Sequence, residues 1–348
     1  MPRHVFIFDG SLDVPIVGAP MSGGPTTPAL VAAVSEAGGL GFLAAGYKTA
    51  QEVEEEIAAV RSATARPFGV NLFYPTRDET DEAAIDAYAR SLRVEEDRYG
   101  VSVGVPSWSD DDWEAKLNVA ARTRPDVVSF TFGCPEPETI KRLRGLDIAV
   151  WATVTSPAEA GVALAAGVDA LVLQGAEAGG HQGSYRQHDD EPLSVLALLQ
   201  SVAAMTDRPL VTAGGIATAA QIAAVRRAGA SAAQIGSALM LAEEAGTNEP
   251  HRQALRRKAP TRLTRAFSGR RARGIVNRFM LEHDDAAPAA YPEIHYLTAP
   301  LRAKARALGD AEGLNLWAGQ AYHLAVETTA GEIVDRWQAD LARLEHEH

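Results

Sequence analysis

The densest group of residues able to do chemistry is the run Leu173-Gln174-Gly175-Ala176-Glu177-Ala178-Gly179-Gly180-His181-Gln182-Gly183. Glycines let main-chain amides come close to a ligand, and they leave His181 on an accessible loop. An imidazole titrates near ~6.5 when unperturbed, so this side chain can accept a carbon-bound proton near neutral pH. The bland alternative is a histidine that only braces its loop; the surrounding glycines weigh against it. Two further turns have related composition: Val211-Thr212-Ala213-Gly214-Gly215-Ile216 and Gln234-Ile235-Gly236-Ser237. Amides at such turns, with a helix amino end beyond, favour an anion, so Gly214, Gly215, Gly236 and Ser237 form the expected phosphate cradle. Otherwise they only permit tight turns. Ala19-Pro20-Met21-Ser22-Gly23-Gly24 offers a main-chain surface for a flat ring, or is an ordinary turn. Asn71 carries both a donor and an acceptor for a ring edge.

Positioning these residues requires repeated βα units. Short runs rich in Val, Ile and Phe alternate with alanine-rich stretches of helical period. Strands are expected near Val14–Val17, Leu40–Leu43, Phe68–Phe73, Asp126–Thr131, Ala149–Val154, Val168–Leu173, Pro209–Thr212 and Ala232–Ile235. Helices are expected at Pro28–Ala37, Ala50–Ser62 and Pro157–Ala166, with two more between Glu79 and Arg124. Phrases such as Ala37-Gly38-Gly39, Ala166-Gly167-Val168 and Ala228-Gly229-Ala230 read as helix-to-strand joints, because glycine closes a last helical turn in the left-handed conformation. Eight such strands close most economically as a TIM (β/α)8 barrel, with an open doubly wound sheet as the alternative. In the barrel, the carboxyl ends of the strands carry the site. The expected division is a barrel over residues 1–245, a smaller α/β or helical cap over 246–325, and a terminal helical segment over 326–348 that packs on the barrel.

Composition narrows the function classes. Of 348 residues, 46% are hydrophobic and 22% charged, a balance that folds around a core. A net charge of -12 disfavours nucleic acid as a partner. The cluster Arg270, Arg271 and Arg273 is the exception, and it reads first as a solvated surface. The single cysteine, Cys134, makes no internal disulfide or paired-ligand metal site, which points to a reducing, cytoplasmic setting. Neither the opening residues 1–9 nor any other stretch has the apolar run of an export signal or membrane span. There is no GxGxxG at a first βα turn, no Walker loop, no HExxH and no GxSxG. Trp108, Trp113, Tyr296 and Trp317 are candidate pocket walls, or plain packing residues.

Taken together, Ala19 to Gly24 with Ala37-Gly38-Gly39-Leu40-Gly41, Gly69-Val70-Asn71-Leu72-Phe73, the Gln174 to Gly183 loop, Ala213-Gly214-Gly215-Ile216 and Leu316-Trp317-Ala318-Gly319-Gln320 resemble the nitronate monooxygenase family, over nearly the whole chain. The resemblance implies non-covalent FMN, with His181 at the position of the family's active-site histidine. It places Pro20, Met21, Ser22, Asn71, Gln174, Gly179, Gly180, Gly214, Gly215, Gln234, Ile235, Gly236 and Ser237 at the flavin. It further implies that a nitronate or nitroalkane, propionate 3-nitronate or a short alkyl nitronate, reacts with oxygen to give a carbonyl compound and nitrite. The expected protein is a monomer or homodimer, with no metal. Arg270, Arg271 or Arg273 would contribute if the cap folds over the barrel. The rival expectations are an FMN-dependent NAD(P)H:quinone or enoyl-acyl-carrier-protein reductase, and a flavin- or phosphate-binding module without activity.

Overall fold

The computed structural model describes residues 12–78, 80–187 and 191–346; the opening stretch 1–9, considered above for export, lies outside the described residues. Local signals set the βα units. Thr27 caps helix Pro28–Glu36 by accepting a hydrogen bond from the Leu30 amide, and Thr49 forms a reciprocal capping box with Glu52 on Ala50–Ala63. Gly38 and Gly167 then end helices at φ of 87° and 96°, turning the chain back toward the next strand.

The strands are β1 (Ile16–Gly18), β2 (Gly41–Ala44), β3 (Phe68–Phe73), β4 (Val127–Thr131), β5 (Ala149–Val154), β6 (Ala170–Gln174), β7 (Gly180–His181), β8 (Leu210–Ala213), β9 (Ala232–Ile235), β10 (Thr261–Thr264) and β11 (Ala272–Ile275). Eight of them form one sheet in the order β1-β9-β8-β6-β5-β4-β3-β2, with parallel pairing throughout. The seam between the end strands closes at a parallel bridge from Val17 to Leu40. Gly18 N donates to Leu40 O at 2.9 Å and Leu40 N to Ile16 O at 3.0 Å. The sheet is therefore a (β/α)8 barrel, as expected, and the open-sheet alternative is set aside.

Period-two alternation divides the strand residues between two packing zones. Val70, Leu72, Val150, Ala152, Leu171 and Leu173 point outward to the helices. Inside the barrel, Phe42 and Trp151 fill the lower half with ring centroids 5.4 Å apart, among Val17, Val127, Val172 and Val211. Gly69 leaves space for that filling, because a Cβ there would lie 2.3 Å from the Phe42 ring.

Three departures from expectation have local causes. The stretch after β3 holds three helices, Glu82–Ser91, Arg93–Tyr99 and Trp113–Thr123, because Leu92 leaves helical geometry at ψ 1° and splits the first expected helix. The helical pattern that the sequence shows from Leu301 to Leu308 is the second half of a helix that begins at Glu293, so Pro300 lies in its interior. Proline reads as a helix start because it lacks the amide, yet here the turn around it is packed: Gly104 N donates to Leu297 O at 2.8 Å. Finally, β7 is a two-residue strand inside the histidine loop, and it joins β10 and β11 in a second sheet.

The segment after β9 builds a second apolar core around Phe267, Phe279, Ile294, Leu297 and Leu301, which also takes in Ile85, Tyr88 and Leu92 from the helices after β3. Arg278 reaches across to Glu95 at 2.5 and 2.8 Å, fastening the two stretches together. The chain then returns to the barrel. Helix Ala330–His346 buries Ile333, Val334, Trp337 and Leu341 against helices Ala219–Arg227 and Pro28–Glu36. That is the outer-ring position of the helix that should follow the eighth barrel strand, so the cap is an insertion within the last βα unit. No helix among the described residues is long and apolar enough to cross a membrane.

Candidate active site

A cavity of about 230 Å³, open to solvent at its mouth, lies over the carboxyl ends of the barrel strands. Its floor follows from the strand alternation. The last inward-facing residues, Asn71, Ser129, Thr131, Thr153, Gln174, Ala213 and Gln234, all line it. Neighbouring strands hold them level: Asn71 pairs with Ser129, Gln174 with Ala213, and Ala213 with Gln234. The Asn71 amide donates to Ser129 Oγ at 2.9 Å and Thr131 Oγ1 at 3.0 Å, which orients its carbonyl oxygen away from them.

Of the residues expected at a flavin, Pro20, Met21, Ser22, Asn71, Gln174, Gly179, Gly180, Gly214, Gly215, Gln234, Gly236 and Ser237 line this one cavity, as does His181. Ile235 does not; the alternation that brings Gln234 inward turns Ile235 into the fully buried barrel–helix core. Gln174 is committed to the histidine loop itself. Its Nε2 donates to His181 O at 3.0 Å and its Oε1 accepts from Gly183 N at 2.6 Å. The glycines are needed sterically. Gly214 and Gly215 have φ of 118° and 68°, and a Cβ on Gly179 would lie 2.4 Å from Gly319 N.

The cap fixes His181 from above. In β7, Gly180 and His181 pair antiparallel with Arg273 and Ala272 of β11, and Gln182 N donates to Arg271 O at 2.8 Å. The ring lies among Phe132, Tyr291 and Trp317, with centroids 6.0, 5.5 and 5.6 Å away, and its Nε2 is 2.8 Å from Ser268 Oγ. The segment carrying Trp317 crosses back to the barrel, where Gly319 N donates to Ser237 Oγ at 2.8 Å.

Several residues at this site lack a local sequence signal. Tyr47 stacks on His295 at 4.1 Å and its hydroxyl is 3.0 Å from that of Tyr291. His295, Arg302 and Arg306 line the cavity from one face of helix Glu293–Leu308, with Arg302 buried and Arg306 exposed at the mouth. Arg302 donates to Thr298 Oγ1 at 3.1 Å and to His295 O at 2.7 Å. It makes no ion pair with a carboxylate among the described residues. Arg270 corrects the solvated-surface reading: it is 2% exposed, its guanidinium sits 4.2 Å from the Phe132 ring centroid, and it donates to Ser184 O at 2.8 Å. Arg273 is buried too and donates to Ala176 O at 2.8 Å. Arg273 is held inside because its strand pairs with the histidine loop, and Arg270 lies in the turn just before that strand. Of the four aromatics considered as pocket walls, Trp317 lines the cavity; Tyr296 lines a smaller neighbouring pocket, Trp113 packs on Phe130, and Trp108 lies under Arg77.

The electrostatics of the cavity are one-sided. Among the described residues lining it there is no aspartate or glutamate, in a chain of net charge -12. Burial, then Arg270 and Arg302, holds the His181 pKa down to about 3. Burial likewise lowers His251 to about 4 and His295 to about 2. These folded values lie below the unfolded one, so the unfolded chain binds more protons between them, and stability falls as pH drops below ~6.5. Each histidine kept neutral contributes at most about 1.4 kcal/mol per pH unit to that loss. Urea midpoints measured from pH 7 to pH 4.5 should fall steadily; a flat profile would show that these imidazoles protonate freely in the folded protein.

Comparison with known proteins agrees with this geometry. The family model for nitronate monooxygenase matches residues 7–340. Proteins named probable nitronate monooxygenase from Staphylococcus haemolyticus (strain JCSC1435) and Staphylococcus aureus (strain MSSA476) are each 35% identical, over 94% and 93% of this chain and 93% of their own lengths. A crystal structure of nitroalkane oxidase from Streptomyces ansochromogenes superposes with a TM-score of 0.94 at 48% identity, covering 97% of this chain and 98% of that one. FabK from Thermotoga maritima superposes with a TM-score of 0.76 at 24% identity, covering 100% of this chain and 98% of its own, and at that identity shows a shared fold alone. The chain is an oxidoreductase that belongs to the nitronate monooxygenase family.

Proposed function

We propose that this enzyme binds FMN and oxidises nitronates, together with nitroalkanes converted to nitronates in the site, to a carbonyl compound and nitrite with oxygen as the final electron acceptor. The observation that carries the reading is a cavity with no carboxylate among its described lining residues, in an acidic protein, lined by a buried arginine that makes no ion pair with a described carboxylate. Such a field suits an anionic substrate and an anionic cofactor.

The residues present fit FMN. Gly214, Gly215, Gly236 and Ser237 stand at the ends of the seventh and eighth barrel strands, the usual phosphate seat of this fold, and a Cβ on Gly236 would lie in contact with Ala19 Cβ at 3.4 Å and Met21 Sδ at 3.5 Å. Asn71, Gln234 and the main chain of Ala19 to Ser22 would hold the ring system, and Gln174 would act through the histidine loop it braces. When bound, FMN supplies the redox chemistry. The chain supplies orientation and charge. His181 faces the cavity as a neutral imidazole, able to accept the α-proton of a neutral nitroalkane. Arg302 stabilises the anion. Phe132, Tyr291 and Trp317 keep the ring in place and limit water beside it.

The test is anaerobic mixing of the FMN-loaded enzyme with propionate 3-nitronate or ethyl nitronate, and separately with NADH or NADPH, while the flavin spectrum is recorded. Flavin reduction by a nitronate alone, with nitrite released once air is admitted, is the expected result. Reduction by the nicotinamides only would make the protein a reductase and overturn the proposal.

A further inference from the structure

We infer that Ser268 is a positioning residue that fixes the ring tautomer of His181, so that Nδ1 is the atom presented to the substrate. The inference rests on the reading of His181 as the proton acceptor. Ser268 is 1% exposed and belongs to a tight turn of the cap. Its Oγ lies 2.8 Å from His181 Nε2, 3.2 Å from the Arg270 carbonyl oxygen and 3.4 Å from the Arg270 amide nitrogen. A hydroxyl has one hydrogen to give and two lone pairs to receive. With that hydrogen donated to the Arg270 carbonyl and one lone pair facing the Arg270 amide, the remaining lone pair accepts a hydrogen from the imidazole. The ring hydrogen therefore sits on Nε2, and Nδ1 carries the free lone pair.

Neither partner can easily move out of this arrangement. Gly269, next to the serine, has φ 78°, and a Cβ there would meet the Ala290 carbonyl oxygen at 2.2 Å, so the turn is wedged against the cap. On the other side, the pairing of His181 with Ala272 sets the height of the ring relative to the same turn. No other hydrogen-bond partner of either ring nitrogen occurs among the described residues. In the step itself, Nδ1 takes the α-proton of a neutral nitroalkane, and the C–H electron pair remains on the substrate as the nitronate. The ring becomes an imidazolium whose Nε2–H still rests on Ser268, and it later returns the Nδ1 proton to water.

Ser268→Ala should lower kcat for neutral nitroethane by about 10- to 100-fold, as loss of an orienting partner commonly does, while KM and the turnover of ethyl nitronate stay within about 2-fold. Ser268→Thr, which keeps the hydroxyl, should restore the wild-type values. The independent readout is ¹⁵N NMR of histidine-labelled, FMN-loaded protein, with the His181 signals assigned by their loss in His181→Asn. Wild type and Ser268→Thr should show Nε2 protonated and Nδ1 bare, and Ser268→Ala a mixture of tautomers. Hydrogen found on Nδ1 in the wild type would overturn the assignment, as would an equal loss of both activities in Ser268→Ala. Failure of the wild type to oxidise either substrate would sink the functional reading instead, leaving the ring spectrum to decide the role of Ser268.

Discussion

Replacing His181 by asparagine should lower turnover of neutral nitroethane by about 10²- to 10⁴-fold, the range general-base catalysis usually supplies, and leave ethyl nitronate turnover within about 10-fold. The asymmetry arises because only the neutral substrate must lose a proton in the site. Asparagine keeps a polar donor of similar reach, so FMN content should not change. The wild-type pH profile adds a second check. With its pKa held to about 3 by burial and by Arg270 and Arg302, the imidazole stays deprotonated throughout the neutral range. The kcat/KM for neutral nitroethane, corrected for substrate ionisation, should therefore be flat from pH 8 down to pH 5. An acid limb near ~6.5 would mean that the ring behaves as it does in water. Such a weak base is poorly matched to carbon acids by itself. Arg302, one of the two guanidiniums that weaken it, lines the cavity and would also stabilise the anion produced, so part of the driving force for abstraction would come from the site.

Arg302→Met should raise KM for a nitronate by about 10- to 100-fold, since a hydrogen bond to a charged group contributes roughly 1.5–3 kcal/mol and about 1.4 kcal/mol is one factor of ten. Methionine retains most of the apolar stem. Thr298 Oγ1 keeps its bond to Phe267 O at 2.6 Å and the His295 carbonyl lies within the helix, so the acceptor that loses its partner is His295 Nδ1, which Arg302 Nη2 approaches only to 3.4 Å. Because the arginine is 8% exposed with no carboxylate beside it, removing it relieves an unbalanced buried charge. The melting temperature should hold or rise by a few degrees. A fall in melting temperature with KM unchanged would instead make Arg302 a structural residue. Stability and substrate binding are expected to trade against each other at this one side chain.

Much of the barrel is visible in the sequence because its signals are local. β3, β5 and β9 coincide with the apolar runs that mark them, and Thr27, Thr49 and Gly167 mark where helices start and stop. The glycine loops, too, announce the cavity floor. Ile235 is a place where period-two alternation, applied strictly, would have separated it from Gln234 beforehand. What the sequence conceals is the part of the site assembled at long range, most of it from the cap. Tyr47, Ser268, Tyr291, His295 and Arg302 are ordinary residues at distant positions, and only long-range packing brings them to His181. Pro300 hides His295 and Arg302 from each other by imitating a helix start between them. Arg270 looks like one member of a solvated basic cluster until the turn leading into β11, which pairs antiparallel with β7, carries it inward over Phe132.

The place where the cap leaves and rejoins the barrel has a consequence for how this protein can diversify. Glu243 N donates to Thr328 O at 3.1 Å and Ala330 N to Glu244 Oε2 at 2.8 Å, so the outgoing and returning chain touch. An insertion whose ends meet can be lengthened, shortened or exchanged with little change in the entropy of closing it. The eight strands, their glycine turns and the final helix would stay as they are while a grafted module brought a different set of side chains over the same histidine loop. Ser268, His295, Arg302 and Trp317 all come to the cavity wall from the inserted segment, so exchanging it would change which molecules are admitted while the barrel's own share of the wall stayed the same.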